Sequence, residues 1–175
     1  SDLSIHLWDF ATGHIHQTLL GHTDWIWDAV FTPDGNSLVS CSSDSTIYVW
    51  DLFTGQTRQT LCAQSVKLIT LCLDQAGERI ISGGSDHNIY VWEMESGELT
   101  HCLKGHTNWI GALAVDFTNT ILASSSTDKT IRLWDLETGV TQHIFDDHTD
   151  RVVTLAFSAT DGILASGSQD QTVRL

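Results

Sequence analysis

Serine, histidine and aspartate recur together along this chain, and those are the residue types of a nucleophile, its general base and the acid that orients the base. His22, Ser40 and Asp44 form one set, His106, Ser124 and Asp128 a second, and His148, Ser166 and Asp170 a third. A hydrolase needs one such set at an open pocket. Here the sets repeat at one interval, and two of them carry a tryptophan, Trp50 or Trp134, whose indole N–H can use the serine hydroxyl. Recurrence of that kind points to a structural hydrogen-bond network rather than to catalysis, because a buried polar group left unpaired costs about 1 to 3 kcal/mol. Ser82, Asp86 and Trp92 form a further set with Gln64 where the others have histidine, and an amide can both donate and accept there. Trp8 occupies the tryptophan position without a serine or histidine of its own, while the set of His148 has no tryptophan after it.

The remaining histidines invite a metal reading, above all His14 and His16, since alternate residues of a strand point to one side. A metal site needs three or four ligands, and no Cys, Asp or Glu accompanies His6, His14, His16, His87, His101 or His143 at a ligating spacing. Neither a metal nor a cofactor is expected. Cys41, Cys62, Cys72 and Cys102 include no Cys-x-x-Cys pair and sit in apolar runs, which predicts buried thiols in a reducing compartment and hence a cytoplasmic location.

These residues must be positioned by strands. Trp8, Trp50, Trp92 and Trp134 fall 42 residues apart, and Asp2, Asp44, Asp86, Asp128 and Asp170 keep the same step. Between these markers Val, Ile, Thr and aromatics form short runs bounded by Gly and Asp, the pattern of strands and turns rather than helices. In the first full repeat strands are expected over Ile26 to Phe31, Ser37 to Cys41, Thr46 to Trp50 and Gln56 to Leu61. Consecutive apolar residues such as Ile47, Tyr48, Val49 and Trp50 imply sheets covered on both faces. The composition, 41% hydrophobic with 17% charged residues, is that of a folded chain. A formal charge of −14 without a Lys/Arg cluster excludes nucleic acid and anionic membrane as expected partners. Nor does any apolar run approach the length of a membrane-spanning helix.

Gly21-His22 through Trp50-Asp51 and Gly105-His106 through Trp134-Asp135 resemble WD repeats, in the regular form of bacterial-type arrays. The resemblance implies an all-β propeller with four-stranded antiparallel blades, and it implies the network of His, Ser, Asp and Trp described above. The repeats divide the chain into 1–20, the third and fourth strands of a split blade, then 21–62, 63–104, 105–146 and a truncated 147–175. Four repeats would make half of an eight-bladed ring, closed by a second copy, or a segment of a larger propeller belonging to a longer chain.

In resembling proteins the third and fifth residues after Gly-His lie on the rim of the top face, where partners dock. They are Trp25 and Trp27, Lys67 and Ile69, Trp109 and Gly111, Arg151 and Val153. Large aromatics and arginine are the types that anchor interfaces, so Trp25, Trp27, Lys67, Trp109 and Arg151 are the candidate partner-binding residues. The expected role is non-enzymatic: a scaffold or sensor module that presents a rigid face to a protein or peptide. The alternatives are a self-assembling ring without ligand, and a small-molecule or metal site in the central channel. The second would need polar groups from inner strands, yet Ile26 to Phe31, Leu68 to Leu73, Gly111 to Val115 and Val152 to Phe157 are mostly apolar.

Overall fold

The computed structural model describes residues 2–63 and 66–175, and among them the regular structure consists of strands. A two-stranded sheet of β1 (Ser4–Trp8) and β2 (Ile15–Leu20) comes first. The first full blade contains β3 (Ile26–Phe31), β4 (Ser37–Ser42), β5 (Thr46–Asp51) and β6 (Thr57–Cys62). The second contains β7 (Leu68–Leu73), β8 (Arg79–Gly84), β9 (Ile89–Glu93) and β10 (Leu99–Leu103), and the third β11 (Ile110–Val115), β12 (Ile121–Ser126), β13 (Ile131–Asp135) and β14 (Thr141–Phe145). A three-stranded sheet of β15 (Val152–Phe157), β16 (Leu164–Ser168) and β17 (Val173–Arg174) ends the series. Each sheet is an antiparallel meander in sequence order, which short turns suffice to connect.

Apolar side chains are buried between blades rather than in one central core. Val39, Ile47, Val49 and Leu61 of the first blade meet Leu68, Ile80 and Trp92 of the second. Ile81, Ile89 and Val91 of the second meet Ile110, Leu122 and Trp134 of the third, and Leu19 packs with Leu38 and Trp50. The innermost strands neighbour one another in order, β3 beside β7, β7 beside β11 and β11 beside β15. This is the stacking of propeller blades, in which each sheet is covered by its neighbours.

Coverage of both faces holds for the middle of each blade only. β4 is buried at all six residues, whereas β3 alternates between partly buried and exposed, and β6 is mostly exposed. The outer strand is the edge of its blade, so one side and one face meet water. That corrects the expectation for two cysteines: Cys62 and Cys102, near the ends of outer strands, are exposed, while Cys41 is buried and Cys72 partly so. Burial pushes the thiols of Cys41 and Cys72 far above the usual range, which keeps them protonated.

Two local devices recur from blade to blade. The residue after each turn aspartate has a left-handed backbone, at Ser45, His87, Lys129 and Gln171, with φ between 70° and 75°. There the N–H of the turn closes on a carbonyl three residues back, as from Lys129 to Ser126. The second device is a bulge in every inner strand. Ile26 pairs with Ser42 and Asp28 with Cys41, so Trp27 is left over; Ile69, Gly111 and Val153 are skipped in the same way.

Candidate functional site

In the first and third blades the histidine precedes the inner strand, the serine lies mid-way along the second, the aspartate sits in the turn that follows, and the tryptophan lies near the end of the third. In the first blade His22 Nδ1 lies 2.9 Å from Asp44 Oδ2, His22 Nε2 2.8 Å from Ser40 Oγ, and Trp50 Nε1 2.9 Å from the same Oγ. In the third blade the corresponding distances, for His106, Asp128, Ser124 and Trp134, are all 2.8 Å. An ionised carboxylate only accepts, so Nδ1 carries the imidazole proton. Nε2 therefore accepts from the serine hydroxyl, and the hydroxyl oxygen accepts from the indole N–H.

Charge states follow from the same contacts. Burial alone would raise the Asp44 carboxyl, but the Thr46 hydroxyl, the Thr23 N–H and the His22 N–H outweigh it and hold Asp44 below the usual carboxylate range. For Asp128 burial is again outweighed, by His106, Thr130 and the Thr107 N–H, and the carboxyl lies well below that range. Burial lowers His22, more than the attraction of Asp44 raises it. A neutral imidazole beside a carboxylate is thus the stable state of the first blade. Ser40 and Ser124 are fully buried, with the hydroxyl oxygen against an indole, so neither has an open approach for an acyl group.

The second blade differs. Gln64 lies outside the described residues. Asp86 Oδ2 accepts instead from the Tyr90 hydroxyl at 2.6 Å and from Asn88 Nδ2 at 2.6 Å. Burial and the carboxylate of Asp86 push the Tyr90 phenol well above its ordinary range, so it stays a donor. The Trp92 indole still reaches Ser82, but at 3.3 Å. Tyr90 is the participant that sequence reasoning missed. Its equivalent in the first blade, Tyr48, stacks on His22 with ring centroids 4.4 Å apart and donates no bond to Asp44, so the residue type alone gave no signal.

In the last sheet His148 Nδ1 is 2.7 Å from Asp170 Oδ2 and His148 Nε2 3.0 Å from Ser166 Oγ. Among the described residues no indole reaches Ser166. The groove beside it is lined by Leu133, Phe145, Phe157 and Leu164, whereas Trp8 lies with Phe10, Phe31 and Leu52 and is 62% exposed.

The rim candidates form a second group. Trp25, Trp27 and Trp109 are 60%, 48% and 51% exposed, and Lys67 and Arg151 are exposed as well. Their backbone is fixed: the carbonyls of Trp25, Lys67, Trp109 and Arg151 accept from the N–H of Ser43, Ser85, Thr127 and Gln169 at 2.8 to 3.0 Å. Trp25 and Trp27 come together, with ring centroids 5.8 Å apart and planes tilted by 51°, and Trp27 Nε1 donates to Ser43 Oγ at 2.7 Å. Lys67, Trp109 and Arg151 do not line the groove beside this pair. No group of three or more His, Cys, Asp or Glu side chains is placed to hold a metal among the described residues, and no helix there is long and apolar enough to cross a membrane.

The family model described as WD domain, G-beta repeat matches residues 13–51, 55–93, 97–135 and 139–175. Among curated proteins, a nuclear distribution protein PAC1 of Arthroderma otae is 46% identical over 44 residues, 25% of this chain and 10% of the relative. The PAC1 protein of Coccidioides posadasii and the nuclear distribution protein nudF 2 of Talaromyces marneffei are each 42% identical over 43 residues, 25% of this chain and 9% of the relative. The aligned stretch is thus about one repeat long and about a tenth of these relatives.

Proposed function

Because this chain belongs to the WD-repeat family, we propose that it is a protein-interaction scaffold whose partner, a protein or peptide, docks on the rim carrying Trp25, Trp27, Lys67, Trp109 and Arg151. The observation that carries this reading is the exposure of three rim tryptophans on a backbone that bulges and clamps hold rigid. A large apolar ring half in water gains when a partner covers it, and a fixed backbone loses little entropy in the process. The names of the relatives attach to proteins aligned over one repeat, so they suggest a scaffold and no particular partner. The serine, histidine and aspartate sets are given a structural role, since in the first and third blades the indole occupies the serine oxygen. A cytoplasmic location fits the protonated, unpaired thiols of Cys41 and Cys72. The test is capture of partners by the intact chain beside Trp25→Ala and Trp109→Ala. Loss of the same partners from both variants is the expected result, and identical captured sets would overturn rim docking.

A second reading concerns completion of the ring. Ser166 lacks an indole while Trp8, at the repeat position of Trp50, is exposed. Two copies, or further blades of a longer chain, would join these groups into a fourth network. Light scattering tests the first arrangement: a species of twice 19.3 kDa is expected for two copies, and a stable monomer counts against it.

A further inference from the structure

The paired indoles stand beside an open groove of about 250 Å³ lined by Asp2, Leu3, Ser4, Trp25, Ile26 and Trp27. One wall is aromatic. The bulge removes Trp27 from the ladder of β3 and β4, and a bulge re-aims the side chain that it frees. The bond from Trp27 Nε1 to Ser43 then fixes the indole at a tilt to Trp25, with aromatic surface left exposed. Asp2 adds a carboxylate to the lining. The Asp2 side chain is 72% exposed, and Oδ1 accepts from the Ser4 N–H at a long 3.4 Å. The basic group within ion-pair distance of Asp2 among the described residues is His6, also at 3.4 Å.

We infer that this groove takes the guanidinium of an arginine side chain carried by a partner peptide. This deepens the rim reading above and rests on it. An indole face attracts a cation, and a planar guanidinium can lie on the ring while its fork of N–H groups meets a carboxylate. The groove supplies both, and Leu3 and Ile26 offer apolar surface to the stem of the side chain. A net charge of −14 favours approach of a basic segment over an acidic one. The other blades lack the combination. Trp109 has Gly111 in place of the second indole, and the two remaining pairs of rim positions carry Lys67 with Ile69 and Arg151 with Val153, where a cation already stands.

The probe is the peptide acetyl-Gly-Arg-Gly-amide, compared with the same peptide containing citrulline, a neutral side chain of nearly the same shape. The full-length ¹⁵N-labelled chain is titrated with each, and its indole N–H resonances are followed. The arginine peptide is expected to shift the Trp25 and Trp27 resonances with a Kd on the order of 1 mM, as suits one exposed cation–aromatic contact with a carboxylate. The citrulline peptide is expected to shift neither. Trp27→Gly should raise the Kd about tenfold and Asp2→Asn about threefold. Unmoved resonances of the buried Trp50 and Trp134 establish that each variant is folded. Equal responses to the two peptides, or a Trp27→Gly variant that titrates like the parent chain, would overturn the inference. If neither peptide is felt yet Trp25→Ala and Trp109→Ala still lose a partner, the arginine groove is wrong and rim docking stands. If the arginine peptide binds but those variants keep every partner, rim docking is wrong and the groove stands alone.

Discussion

The third and second blades use the same four-stranded meander with different polar cores. In the third, His106 lies between Asp128 and Ser124, Trp134 seals the serine, and Ser126 Oγ donates to the Asn108 carbonyl and accepts from the Asp128 N–H. In the second, Tyr90 and Asn88 hold the aspartate, and Gly84 occupies the position of Ser126. A Cβ on Gly84 would lie 2.5 Å from Asp86 Oδ1 and 2.6 Å from a methyl of Val66. The glycine is therefore part of the alternative arrangement, because it leaves the space into which the carboxylate turns. What the blades share is the demand that a buried carboxylate be paired, and not the identity of its donor.

The largest effect that separates the two should come from deleting the serine. Ser124→Ala strands both the Trp134 indole N–H and His106 Nε2 in a buried site, and a loss of about 3 kcal/mol is expected from urea unfolding. Ser82→Ala removes the longer 3.3 Å bond to Trp92, and about 1 kcal/mol is expected. Equal losses would mean that the second blade's serine has a donor or acceptor as well placed as His106.

Tyrosine gives the next contrast. Tyr90→Phe removes a 2.6 Å bond to a carboxylate and should cost about 2 kcal/mol, whereas the Tyr48 hydroxyl is 3.4 Å from the Gly21 carbonyl and Tyr48→Phe should cost less than about 0.5 kcal/mol. Similar values for the two would show that Tyr90 packs in its blade without holding Asp86.

Acid distinguishes the blades more gently. Because burial lowers His22 in the folded chain, the unfolded chain, with an ordinary value of about 6.5, takes up the proton first. Stability contributed by a neutral His22 is full above that value and declines as the pH falls through it. The depressed carboxyl of Asp128 adds a further loss only below about pH 4, where its unfolded counterpart begins to protonate. The urea midpoint should therefore drop between pH 7 and pH 5, by less in His22→Gln than in the parent chain. An unchanged dependence in that variant would place the titrating group elsewhere. The smallest effect is expected at the rim, where Trp109→Ala should shift stability by under about 0.5 kcal/mol, since its ring is half exposed. A larger loss would make Trp109 a structural residue rather than a docking one.

Much of this architecture is legible from one repeat laid on the next. The 42-residue step aligns His22 with His106 and Trp50 with Trp134, and polar residues that recur among apolar strands have to satisfy one another when those strands pack. Three features escape that reasoning. Tyr48 and Tyr90 are the same residue at the same repeat position, yet one stacks on an imidazole and the other replaces one; neighbouring residues decide which. The bulge that leaves Trp27 without a ladder partner, and the bond to Ser43 that tilts its indole against Trp25, are not carried by the 42-residue step. Cys62 and Cys102 are apolar by type but stand on outer strands, and position within a blade outweighs residue type there.

The seven tryptophans divide without intermediates: Trp50, Trp92 and Trp134 are at most 5% exposed, and Trp8, Trp25, Trp27 and Trp109 at least 48%. Optically the chain thus contains two populations of one chromophore, a dry one inside the blades and a wet one on their surface. Acrylamide, being uncharged, reaches the wet indoles without the repulsion that iodide would meet from a chain of charge −14. The emission it leaves comes from the three blade interiors, and the emission it removes comes from four surface indoles, of which Trp25, Trp27 and Trp109 are the proposed docking residues. A single titration of intrinsic fluorescence therefore records folding and docking on separate channels.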